Sequence, residues 1–182
     1  MVTQEFVGMR ELYDFVPHFV PKPIAHGTYA VNPNIHFFIS EFLEMTDEVP
    51  DPSFMASLAD LHARAISPNN KYGFSIPTFQ RALPQYTEWA DSWEEFFSNS
   101  LKRVFEFEEK THGSDKELKA LERAILQKVA ARLLRPLETG GRTIQPRLIH
   151  GDIWNGNVST KVADDSPVVF DGSCIYAHNE GN

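Results

Sequence analysis

Two carboxylates and an amide near the end of the sequence have the types and spacing that phosphoryl transfer requires. Asp152 and Asn157 stand five residues apart in "LIHGDIWNGN", directly behind the apolar pair Leu148 and Ile149. Asp171 follows the apolar run "VVF", 19 positions after Asp152 (171 − 152). Moving a phosphoryl group asks little covalent chemistry of a protein. One carboxylate orients the attacking hydroxyl and takes its proton, while a second carboxylate and an amide oxygen hold Mg²⁺ against nucleotide phosphates. An Asp with an Asn nearby is by itself ordinary turn chemistry. Two carboxylates and an Asn in this order, each beside an apolar run, point to a site instead.

The protein-kinase catalytic loop reads H-R-D, four residues, then Asn, with the metal Asp at the end of a later hairpin. His150-Gly151-Asp152, four residues and Asn157 repeat that spacing, with Gly in place of Arg. "DGS" stands where Asp-Phe-Gly is usual. His150 reads as a loop-holding hydrogen-bond former rather than a proton carrier.

The elements that must position these residues are legible as periodicities. Phe6, Met9, Leu12 and Tyr13 predict a helix over about residues 3–14. The prolines of "VPKPIAHG" then favour an extended path. "GTYAVNPN" reads as a strand with a turn at Asn32-Pro33-Asn34, and "IHFFISEFLEM" as a buried strand. Asp51-Pro52 marks a helix start, with Asp as N-cap and Pro at the first helical position. "TEWADSWEEFFSNSLKRVFEF" predicts a helix with an apolar face at Trp93, Phe96, Phe97 and Val104. "SDKELKALERAILQKVAARLL" opens on a capping-box pattern, Ser114 and Glu117, and carries Leu118, Leu121, Ile125, Val129 and Leu133 on one stripe. The last segment reads as short strands around a loop, with a turn at Asp164-Asp165-Ser166. The fold class is α+β.

Composition removes several functions. The 182 residues are 42% hydrophobic and 23% charged, as in an ordinary globular chain. A net charge of −8 repels nucleic-acid phosphate, so nucleic acid is not an expected partner. No apolar run approaches the roughly 20 residues that cross a bilayer, so no membrane partner is expected. A lone cysteine, Cys174, permits no internal disulfide and fits a reducing compartment, read as the cytoplasm.

"HGDIWNGNV", followed by "VVFDGSCIYAHNE", resembles the fructosamine/ketosamine-3-kinase family. Its pattern reads H-G-D, an aliphatic residue, W-x-G-N, a strand ending in Asp, then Y-G-H-x-E. The resemblance extends upstream through "NKYGFSIPTFQRALPQYTEWADSWEEFF", through "FISEFLEM" as an interlobe hinge, and through "LADLHA" as the helix after it. It implies an aminoglycoside-phosphotransferase-like, protein-kinase-like fold. Residues 1–43 would be a remnant of the N-terminal lobe with the hinge, and residues 44–182 a helical C-terminal lobe with the catalytic loop.

Roles follow from the resemblance. Asp152 would be the catalytic base, with Asn157 and Asp171 as Mg²⁺ ligands. ATP would bind through the Glu41 carbonyl and the Leu43 amide at the hinge. Glu5 aligns with the helix Glu that pairs with a phosphate-gripping Lys. Trp154 would lie near the sugar, since an indole stacks on an apolar sugar face, although a packed loop aromatic remains an open reading. Tyr176, His178 and Glu180 match Y-G-H-x-E, with Ala177 in place of Gly. Trp89 would line the substrate groove, while helical spacing assigns Trp93 to the core. Glu41 also reads as a solvated side chain, and Cys174 as an inert buried thiol.

The family begins with a small lobe whose hairpin and Lys cover the phosphates, and it continues beyond Glu180 through further helices. The resemblance therefore implies the middle of a longer enzyme, with weakened nucleotide binding and catalysis. Apolar faces left open would favour a homo-oligomer. The implied reaction moves the ATP γ-phosphate to the sugar 3-hydroxyl of a glycated protein or small ketosamine, leading to deglycation. Two rival readings stay open: a kinase for another small alcohol, such as an aminoglycoside or choline, and a non-catalytic kinase-like module.

Overall fold

The computed structural model describes residues 2–46, 48 and 52–181. Helix α1 (Val2–Phe15) matches the predicted periodicity and buries Gly8, Met9 and Leu12. Strands β1 (Pro23–Tyr29) and β2 (Asn32–Ser40) pair antiparallel. The turn between them falls at Ala30-Val31, with Tyr29 opposite Asn32, not at the expected Asn32-Pro33-Asn34. Pro33 lies instead in a strand with a partner on one side only, where a missing donor is tolerated. Nor is β2 a buried strand: Ile35 and Ile39 are about half exposed. A two-stranded ribbon offers two faces, and α1 covers part of one, with the Phe6 ring 5.9 Å from Phe38.

The rest of the chain builds the platform of the site. β3 (Met45–Thr46), β7 (Val158–Lys161) and β8 (Pro167–Val169) form one antiparallel sheet in the order β3-β7-β8. β6 (Arg147–Ile149) pairs with β9 (Ile175–Ala177). Helix α2 (Ser53–Arg64) packs near β6 and β8. Its expected N-cap, Asp51, lies outside the described residues, and Pro52 occupies the cap rather than the first helical position. Residues 65–74 stitch the platform through the backbone: the Leu148 amide donates to the Ala65 carbonyl, and Gly73 and Tyr176 exchange both bonds, each of these at 2.8–2.9 Å. A short hairpin, β4 (Phe79–Gln80) and β5 (Leu83–Pro84), leaves this stitch.

Helix α3 (Trp93–His112) starts at Ser92, whose hydroxyl caps the Glu95 amide. Trp93 packs against Phe96 and Tyr72, as helical spacing implies, but Phe97 and Val104 remain partly exposed. The next helix, α4 (Lys116–Ala124), is capped by Asp115 rather than Ser114, because the Asp115 carboxylate accepts from the Leu118 amide. A π-helical turn at Ile125–Ala130 then shifts the apolar stripe before α5 (Ala131–Leu134). Leu121, Val129 and Leu133 are about half exposed. No helix among the described residues is long and apolar enough to cross a membrane.

Core packing around α1 sets a direct expectation. Leu12 has no exposed surface, so Leu12→Ala should cost about 2–5 kcal/mol in urea unfolding followed by tryptophan fluorescence. Val31, 93% exposed at the hairpin turn, should change stability by less than about 0.5 kcal/mol when cut to Ala.

Candidate active site

Three strand ends bring the polar residues together. β6 delivers His150-Gly151-Asp152 at its end, Asn157 immediately precedes β7, and Asp171 lies in the turn between β8 and β9. The register pairs Val158 with Val169, and the Phe170 amide donates to the Asn157 carbonyl at 3.1 Å. Asn157 is thereby held one step from Asp171. The Asn157 Nδ2 donates to the Asp152 carbonyl at 2.9 Å and to the Asp152 Oδ2 at 3.0 Å. Both donors are thus committed to Asp152, which leaves the Asn157 Oδ1 as the group free to accept or ligate.

Glycines make the approach possible. Gly151 has φ +79, and a Cβ there would lie 2.4 Å from the Ser173 carbonyl oxygen. Gly stands in the place of the kinase Arg because this backbone leaves no room for a side chain. Gly156 lies under the Trp154 indole, whose ring atoms would meet an added Cβ at 2.4 Å. Asp171 itself adopts φ 61. The left-handed region costs an L-residue roughly 1–2 kcal/mol, and a short polar side chain is among the few that enter it.

His150 is fully buried, and its Nε2 donates to the Phe170 carbonyl at 3.0 Å. Burial lowers its pKa to about 4, against smaller raising effects from that bond and from Asp152. The ring is neutral at physiological pH. It fastens the loop before Asp152 to the residue before Asp171, as the sequence reading expected.

One cleft of about 740 Å³ is lined by Asp152, Trp154, Asn157 and Asp171 together with Glu5 from α1. Trp154 is 57% exposed at its edge. Burial, and after it the charge of Asp171, raises the Glu5 pKa. Next to Glu5, the buried Gln4 Oε1 finds no hydrogen-bond partner among the described residues. Two carboxylates, Glu5 and Asp171, lining one space fit a cation better than any neutral group. No three His, Cys, Asp or Glu side chains cluster as a metal site among the described residues. One carboxylate and one amide suffice for Mg²⁺ when phosphate oxygens and water complete its shell.

The other predicted residues lie elsewhere. Glu41 and Leu43 sit in the extended link between β2 and β3, outside the cleft lining. The Glu41 amide donates to the Lys22 carbonyl at 2.8 Å. The Glu41 carbonyl and the Leu43 amide make no hydrogen bond among the described residues. Tyr176, expected near substrate, is 2% exposed instead. Its partner strand β6 turns it inward, between Phe74 and Trp89, and its hydroxyl donates to the Glu11 Oε1 at 2.5 Å. His178 rests on Trp93 with ring centroids 5.9 Å apart. Trp89, Tyr176 and His178 therefore back the platform and do not line the cleft. Cys174 is fully buried with a strongly raised pKa, above all from burial.

The β4–β5 hairpin escaped the sequence reading. The Gln80 Nε2 donates to the Gly151 carbonyl at 3.0 Å, and the Gln85 Nε2 to the Ser173 carbonyl at 3.0 Å. The Ser173 hydroxyl returns a bond to the Phe79 carbonyl at 2.7 Å. Thr78, Phe79, Gln80, Arg81 and Leu83 all line the cleft. A hairpin of two-residue strands has no periodicity to detect, and the only available signal was the cluster of Gln and Arg between prolines.

Comparison with known proteins bears on the family and the fold. The profile of a family described as fructosamine kinase matches residues 1–182. A chloroplastic protein-ribulosamine 3-kinase of Oryza sativa subsp. indica is 31% identical over 182 residues, covering 99% of this chain and 50% of that protein. Ketosamine-3-kinase of Mus musculus is 36% identical over 114 residues, 61% of this chain and 33% of that protein. The chain spans about half the length of the full-length curated relatives it matches. A crystal structure of a candidate fructosamine-3-kinase from Haemophilus somnus 129PT superposes with a TM-score of 0.74 at 22% identity, covering 99% of this chain and 56% of that one. A second, from Thermobifida fusca YX-ER1, gives 0.71 at 21% identity, covering 98% and 56%. The fold is thus of the protein-kinase-like α+β type.

The contacts of the loop from His150 to Asn157 have measurable consequences. Gly151→Ala meets both the positive φ and the Ser173 carbonyl, and should lose at least about 2 kcal/mol in urea unfolding. His150 binds a proton less readily when folded, at about 4 against 6.5. Below pH 6.5 the unfolded chain takes up the proton first. The histidine's contribution is therefore whole above that pH and lost as the pH falls toward 4, by up to about 3 kcal/mol at 1.4 per pH unit. The slope of stability against pH across this window should flatten in His150→Asn.

Proposed function

Because the chain belongs to the fructosamine kinase family, we propose that its cleft takes ATP with Mg²⁺ and phosphorylates a ketosamine on a sugar hydroxyl. The observation that carries this is the lining of one cleft by Asp152, Asn157 and Asp171, with Asn157 tied by its Nδ2 to Asp152. Relatives named protein-ribulosamine 3-kinase and ketosamine-3-kinase support the sugar 3-hydroxyl as acceptor.

In this reading Asp152 is the base. It orients the acceptor hydroxyl and takes its proton as the oxygen attacks, a contribution of about 10²–10⁴-fold for a positioned base. Asn157 and Asp171 are the residues that would hold Mg²⁺, which would neutralise charge on the phosphate oxygens. The Asn157 bond to Asp152 couples the two tasks, because the amide that offers its oxygen to the cation also aims the base. Trp154 offers its exposed face to the sugar, and its ring is fixed against Gly156.

Residues 1–43 contribute Glu5 and the hinge, and residues 44–182 the catalytic loop, in a two-lobed division. The Glu41 carbonyl and the Leu43 amide receive the adenine edge. Glu5 offers its carboxylate to a cation on the phosphate side. The buried, weakly acidic Cys174 needs no oxidising surroundings, which suits the cytoplasm.

Asp152→Asn should lower kcat for phosphate transfer from ATP to a fructosamine by about 10²–10⁴-fold. Its Kd for Mg-ATP, measured by calorimetry, should change by less than about threefold, since Asn preserves the shape and the contact to Asn157. Turnover that survives the substitution removes Asp152 from the role of base. A wild-type chain that transfers phosphate to no ketosamine removes the substrate assignment.

A further inference from the structure

Among the described residues that line the cleft, Arg81 alone is cationic, against the carboxylates of Glu5, Asp152 and Asp171. It stands at the tip of the β4–β5 hairpin with φ 52. Tip positions in this conformation favour Gly and Asn, and a long charged residue there is unusual. The backbone under it is held. Gln80 bonds the Gly151 carbonyl, and Ser173 bonds the Phe79 carbonyl. The side chain is not held: Arg81 is exposed and makes no ion pair or hydrogen bond among the described residues.

We infer that Arg81 selects acceptors that carry an oxyanion, either a carboxylate beside the glycated amine or a phosphate on the sugar. This rests on the phosphotransfer reading above and adds the charge of the acceptor to it. A group that stabilises a transition state must be locked before the reaction. The Arg81 guanidinium has no partner to lock it, so it suits recognition of a bound ligand rather than stabilisation of the moving phosphoryl group. Its position agrees. Gln80, the residue before it, holds Gly151, the residue before the base, so the tip stands on the side where the acceptor hydroxyl must lie. A ketosamine amine is protonated at neutral pH and complements the carboxylates of the cleft. An oxyanion on the same molecule then meets Arg81, the cationic side chain among the described lining residues, and a guanidinium fork matches carboxylate and phosphate geometry with paired bonds.

The test compares three acceptors: the fructose adduct of glycine, the adduct of glycinamide, which keeps the amine but carries no oxyanion, and the glycinamide adduct bearing a 6-phosphate on the sugar. Each is measured by calorimetric binding in the presence of Mg-ADP and, where phosphate is transferred, by kcat and KM. The wild-type chain should bind at least one anionic acceptor about tenfold more tightly than the amide at low salt, with the difference shrinking as salt rises. Arg81→Ala should abolish the difference, Arg81→Lys should keep part of it, and Arg81→Gly, which suits the left-handed tip, should behave as Ala does. The anionic acceptor that loses affinity identifies carboxylate or phosphate as the group read. Equal binding of all three acceptors by the wild type overturns the inference. So does a fall in kcat for all three on Arg81→Ala with their affinities unchanged, the signature of a phosphoryl-contacting cation. The binding measurement needs no turnover. Charge selection through Arg81 without phosphate transfer would refute the kinase reading of this chain and leave only the recognition of an oxyanion by Arg81, without its place in a reaction.

Discussion

The candidate site depends on one close approach, between the backbone of the loop from His150 to Asn157 and the backbone that follows Asp171. The Ser173 carbonyl occupies the space where any side chain at Gly151 would begin. With the two segments this near, the His150 ring spans from the loop to the Phe170 carbonyl, and the Asn157 carbonyl receives the Phe170 amide. Separate them by the width of a methyl group and both bonds lengthen beyond use. The carboxylates of Asp152 and Asp171 belong to different ladders, β6–β9 and β7–β8, and this contact brings the ladders into one cleft. The β4–β5 hairpin is fastened to both sides of it, to Gly151 through Gln80 and to Ser173 through Gln85.

The electrostatics are arranged around that contact. The buried histidine is kept neutral, so it holds the loop without adding a charge that would neutralise Asp152. The carboxylates face the cleft, and where two of them approach, Glu5 and Asp171, burial and mutual repulsion raise the Glu5 pKa. Uncompensated negative charge in a partly dry space is a cost that a bound cation removes. Folding alone gains nothing from such a cluster, whereas binding a cation does, and this is why the acidic cleft reads as chemistry rather than as packing.

Much of this was legible from side-chain spacing, because the residues involved follow strand ends in fixed order. Asp152, Asn157 and Asp171 were found from the offsets between them, and α1 and α3 from apolar periodicity. What escaped was set by pairing across long sequence distances. Nothing local told that Tyr176 would face inward, since that depends on β9 joining β6 and on Gly73 bonding Tyr176 from the other side. The two-residue strands of the hairpin were too short for any pattern, so Gln80, Arg81 and Gln85 went unnoticed. The buried reading of β2 failed because apolar composition shows that a strand can be covered, not whether a second layer covers it. The Ser114 cap lost to Asp115, a carboxylate one residue nearer the helix and so better placed on its free amides.

Helix α1 shows how the segment around Asp171 reaches beyond the platform. Gly8 packs directly on Cys174, the Met9 sulfur accepts from the Gly172 amide at 3.3 Å, and Glu11 receives the Tyr176 hydroxyl. These three contacts fall within about one turn of the helix and all meet the stretch 172–176. The helix is thus registered against the stretch that begins at Asp171, and Glu5, one turn before Gly8, is brought to the cleft as a result. A side chain larger than Gly at position 8 would push the helix off Cys174, whose β-carbon and sulfur already stand 3.0 Å from an added Cβ. Burial of Cys174 is therefore part of the positioning: a small apolar sulfur lets helix and loop approach, where a charged or bulkier residue would part Glu5 from Asp171. The distance between those two carboxylates, on which any cation between them depends, is set by packing at a residue that takes no part in the chemistry.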